Sequence, residues 1–92
     1  MRKTSDTMIF IPIMEIRMAD DAAVARVKNI LKAELKRKGI GYRELAEKLT
    51  ASGIPETERN LANKIARGTF TAAFLIQCLD AIGVSSLRLS DA

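Results

Sequence analysis

The sequence predicts an all-α domain: a compact bundle of four to five short helices. Three observations carry this. Apolar residues recur at three- and four-residue intervals from Val24 to Ile82. Short breaks containing Gly or Pro divide that pattern into segments of helical length. Residues suited to helix ends flank the breaks.

The N-terminal extension, residues 1–19, reads differently and is expected to be irregular or a short strand. Met8, Ile9, Phe10, Ile11, Ile13 and Ile16 favour a strand, and Pro12 restricts it to an edge. An apolar strand edge attracts a partner, so this stretch is also a candidate dimerising element. Met8, Met14 and Met18 are alternative start positions. Arg2 and Lys3 ahead of apolar residues faintly mimic a secretion signal. Asp6, Pro12, Glu15 and Arg17 interrupt it, and no signal is expected.

Residues 20–92 form the expected helical domain, the part in which the helix-turn-helix resemblance described below lies. Its first helix spans 20–38, with Val24, Val27, Leu31 and Leu35 inward and Ile30 widening the stripe. Asp20 and Asp21 suit the positive end of the helix dipole, and Lys36, Arg37 and Lys38 the negative end. After Gly39-Ile40-Gly41, a second helix runs from Tyr42 to about Ala51 and buries Leu45, Ala46 and Leu49. Ser52-Gly53-Ile54-Pro55 breaks it. Pro55 suits the start of a third helix, with Glu56 and Glu58 near its first turn and Thr57 an alternative cap. That helix buries Leu61, Ala62 and Ile65 and ends at Arg67-Gly68. Thr71 caps a fourth, about 72–82, burying Phe74, Leu75, Cys78, Leu79 and Ile82 before Gly83. Val84, Leu87 and Leu89 form a tail that folds back or adds a turn.

Composition narrows the function. Aromatics are only 4% of the chain, too few for a platform that stacks single-stranded bases. One cysteine excludes an internal disulfide, and the lack of histidine excludes a Cys/His zinc site. A reduced, cytoplasmic protein without a metal or other cofactor is expected. With no cysteine–base pair, no Gly-rich phosphate loop and no clustered carboxylates, an enzyme and a small-molecule substrate are not expected. The longest apolar stretch is far short of the ~20 residues that cross a bilayer. The net charge of +4 permits a polyanionic partner without requiring one.

The placement of charge says more than the sum. Between Arg59 and Cys78 stand three cations, Arg59, Lys64 and Arg67, and no acid. With Leu61, Ala62 and Ile65 inward, Arg59, Asn60, Asn63, Lys64 and Arg67 project outward or flank that face. Arg and Asn make paired contacts to guanine and adenine edges in the major groove. A solvated face has the same composition, and Asn60 and Asn63 also suit local bridging. Seven cations from Arg26 to Arg43 face one acid, Glu34, and read as the wet side of the first helix with auxiliary phosphate contacts. Glu44 and Glu47 read as surface partners of Arg43 and Lys48, and Cys78, Phe70 and Phe74 as core.

Tyr42-Arg43-Glu44-Leu45-Ala46-Glu47-Lys48-Leu49 resembles the first helix of a helix-turn-helix of the lambda-repressor/Cro (Xre-like) class. Asn63-Lys64-Ile65-Ala66-Arg67-Gly68 resembles the end of that family's recognition helix, and Leu79-Asp80-Ala81-Ile82-Gly83-Val84 its closing helix. The resemblance covers about 24–84 and points to small bacterial proteins. Two features differ: the stretch 49–61 is longer than the family's tight turn, and Ala66 stands where the family usually has an acid.

The resemblance implies sequence-specific binding of double-stranded DNA by a homodimeric transcriptional regulator. It implies base contacts by Arg59, Asn60 and Lys64, with Asn63 on the same ridge. It implies phosphate contacts by Tyr42, Arg43, Arg67 and Thr69. Gly41 leaves the backbone amides at the start of the second helix open to an anion. The homodimer is expected to form through the N-terminal strand or the Leu87/Leu89 tail. The alternative is a protein-interaction or oligomerisation module that keeps the fold without binding DNA.

Overall fold

Four α-helices are present among residues 13–89, the part of the chain that the computed structural model describes; within the first helix, side chains are described from Asp20 onward. They are α1 (Ile13–Lys38), α2 (Tyr42–Ala51), α3 (Glu58–Arg67) and α4 (Ala72–Ala81). The described residues contain no strand, in keeping with the all-α expectation.

α1 corrects the expected start. It begins at Ile13 and not at the expected Asp20, so residues 13–16 of the anticipated strand are helical. The rest of the expected strand, residues 8–12, lies outside the described residues. At 26 residues α1 is about 39 Å long, which makes it the one element that is not short.

The helices close a ring in which α1 and α2 each pack on both α3 and α4. Leu31, Leu45, Leu49, Leu61, Ile65 and Cys78 are fully enclosed at its centre, ringed by Leu35, Ala46, Phe74, Leu79 and Ile82. Each enclosed Leu or Ile contributes roughly 1.5–3 kcal/mol relative to exposure. Val24, Val27, Ile30, Ala62 and Leu75, also expected inside, are all only half-buried and lie at the margin of the core. Phe70 and Phe74 meet with ring centroids 5.4 Å apart and planes tilted by 52°.

Local chemistry sets the ends. The Thr57 hydroxyl accepts from Asn60 N at 3.1 Å and caps α3. Pro55 and Thr57 both suit a helix start on sequence; the chain uses Thr57, and Pro55 and Glu56 lie ahead of the helix. Thr71 caps α4 by accepting from Phe74 N at 3.0 Å. The connection 52–57 is held by Thr50: its hydroxyl donates to Glu56 O at 3.2 Å and accepts from Glu56 N at 3.3 Å. After α4 the tail folds back, with Val84 and Leu87 half-buried against the core and Arg26 donating to Leu89 O at 2.9 Å.

Gly68 joins α3 to α1. It has φ 69°, a left-handed conformation that side chains disfavour. A Cβ there would stand 2.7 Å from Val24 Cγ1 and 3.0 Å from Val24 O. Beside it, Lys28 Nζ donates to Ala66 O at 3.2 Å, a cation placed on the carbonyl end of α3. Here Ala66 serves through its backbone.

Candidate nucleic-acid interface

α3 separates its two chemistries by angle. Leu61 and Ile65 are buried, and Gly68 continues their line. At 100° per residue, Arg59, Asn60, Asn63 and Arg67 fall on the opposite side, and all four are exposed. Neither Arg59 nor Arg67 has an ion-pair partner among the described residues. The result is a ridge of two guanidinium groups and two amides without an acid between them.

Lys64 is expected on this ridge and stands at its edge instead. Its ammonium lies 2.5 Å from Glu56 Oε2 and 4.9 Å above the centre of the Phe74 ring. The Glu56 side chain is only 6% exposed and that of Lys64 40%, so the carboxylate points inward while the lysine spans the boundary. The acid arrives from the connection ahead of the helix. On sequence Glu56 reads only as a first-turn residue, and its inward turn is the feature that spacing does not reveal. No local signal marks it, because it depends on Thr50 holding the backbone of residue 56.

The expected phosphate contacts divide among three places. Arg67 and Thr69 line, with Lys64, Phe70, Thr71 and Phe74, a cleft of about 250 Å³ at the end of α3. Arg43 lies across α2–α3, in a cleft of about 580 Å³ that also holds Glu47, Thr57 and Glu58. Tyr42 is not brought to α3. It is half-buried in a corner with Lys32, Leu35, Lys36 and Ile40. α2 starts at Gly41 with no side-chain cap, so its first amides are without an internal side-chain partner.

The pairing expected on α2 is present. Arg43 Nε is 3.8 Å from Glu47 Oε2 and Lys48 Nζ is 3.9 Å from Glu44 Oε2. Such exposed pairs are worth only about 0.3–0.5 kcal/mol, so Arg43 remains open to a stronger anion. Cys78 is enclosed in the core and closed off from the exposed ridge.

No three His, Cys, Asp or Glu side chains converge on a metal-sized site among the described residues. No described helix is long and apolar enough to cross a membrane.

Set against known proteins, the chain matches no curated protein and no solved structure. Residues 24–87, more than half of the chain, match the model of a family described as a domain of unknown function, DUF6471, and the chain belongs to that family.

Proposed function

We propose that this chain binds double-stranded DNA in a sequence-dependent way, as a homodimeric regulator of transcription. One observation carries the reading: Arg59, Asn60, Asn63 and Arg67 form an exposed, acid-free ridge along a single helix. Guanidinium and amide groups side by side suit paired contacts to guanine and adenine edges. Arg43 in the α2–α3 cleft and Thr69 in the cleft at the end of α3 would serve as phosphate contacts on this reading. The resemblance of 24–84 to the lambda-repressor/Cro class supports the same reading.

The second reading, a protein-interaction module, draws on a specific feature. The start of α3 shares its cleft with the exposed acids Glu47 and Glu58, which would repel a phosphate strand lying there. Selection from random duplexes separates the two. DNA binding gives enriched sites, and Arg59→Ala loses preference at one base position, worth about 1–3 kcal/mol. Affinity for the enriched site falls with salt at a slope of about −0.9 per neutralised phosphate. Enrichment no better than a scrambled control overturns the DNA reading.

A further inference from the structure

We infer that Lys64 serves the ridge from behind: its ion pair with Glu56 is a strut that fixes α3 against the rest of the bundle, and Lys64 does not itself contact the nucleic acid. This rests on the DNA-binding reading above.

The strut is a chain of contacts crossing four segments. Thr50, in the last turn of α2, holds the backbone of Glu56 through both its N–H and its C=O. Glu56 turns its carboxylate inward to Lys64 on α3, at 2.5 Å. The Lys64 ammonium rests over Phe74 on α4, at 4.9 Å. Both charges also act on the buried Cys78 thiol, which places the pair against the core.

Energetics then decide between the two roles open to Lys64. A carboxylate withdrawn from water requires a cation, and removing that cation is strongly destabilising. A phosphate that drew Lys64 outward would leave Glu56 unpaired at 6% exposure. One solvent-screened phosphate contact does not offset that. Lys64 is therefore a positioning residue, and the DNA-contacting cation next along α3 is Arg67.

Single and paired substitutions are expected to act in opposite directions. The measurements are thermal melts of the full chain and its affinity for a mixed-sequence duplex several helical turns long, across a salt series. Lys64→Met and Glu56→Met each lower Tm by several degrees and weaken duplex binding several-fold. The double variant recovers both, because two apolar side chains replace a part-buried pair without leaving a lone charge against the core. Its salt slope equals that of the unsubstituted protein, which a lost phosphate contact would not allow. A slope shallower by about 0.9 in the double variant makes Lys64 a phosphate contact and overturns the inference. So do melting losses that simply add. If the unsubstituted chain binds no duplex, the DNA reading fails while the melts still judge the strut.

Discussion

Cys78 shows how strongly one residue can record its surroundings. Its thiol is pushed up from 9.0 to about 12, first by loss of water around the sulfur, then by the Glu56 carboxylate, with Lys64 pulling the other way. The folded chain thus keeps a proton that the unfolded chain releases near pH 9. The associated stability is intact below that pH and drains away as pH rises from 9 towards 12. The loss from this one group is up to about 1.4 kcal/mol per pH unit. Tm is expected to decline more steeply above pH 9 in the native chain than in Cys78→Ala. Equal slopes for the two proteins would remove the effect. The same burial keeps thiol reagents from the sulfur at pH 8 until the chain unfolds.

At the scale of elements, what the sequence revealed depended on whether a residue's role is local. Thr57 and Thr71 bond amides three residues ahead, and capping residues of this kind are readable in one dimension. Most core positions of α2, α3 and α4 follow from spacing alone, as do the exposed Arg59, Asn60, Asn63 and Arg67. The position of Lys64 was not legible, because its partner comes from a connection whose path is set by a hydroxyl in the preceding helix. The start of α1 was obscured by Pro12 and β-branched neighbours that read equally well as a strand.

Gly68 belongs to the same scale, since it decides how closely α3 approaches α1. Gly68→Ala places a methyl group 2.7 Å from Val24 Cγ1 on top of an unfavourable backbone angle. A loss above about 1 kcal/mol is expected in denaturant melts, since strain and overpacking act together. A neutral outcome would mean that α1 can retreat, and with it that the junction is loose.

Across the whole molecule, the ring of four helices leaves no helix stabilised by its own propensity alone. α1 and α2 both depend on α3 and α4, so the bundle is expected to unfold as one cooperative unit. On the DNA reading proposed above, a single ridge of this size would reach one half-site, and a symmetric pair would read two, about one turn of DNA apart. Sedimentation of the full chain is expected to show a dimer at high micromolar concentration. A monomer under those conditions counts against a two-site regulator and leaves the half-site reading alone.

The mooring of α3 bears on who yields when a partner arrives. Its carbonyl end is tied to Lys28, and Gly68 leaves no gap against Val24. The ridge cannot slide lengthwise or swing out without tearing that seam. Small adjustments at this surface fall to the exposed side chains of Arg59, Asn60, Asn63 and Arg67, and larger ones to the other molecule. For a duplex, that means bending or changing groove width, and sequences that deform cheaply gain an advantage at base pairs no side chain reaches.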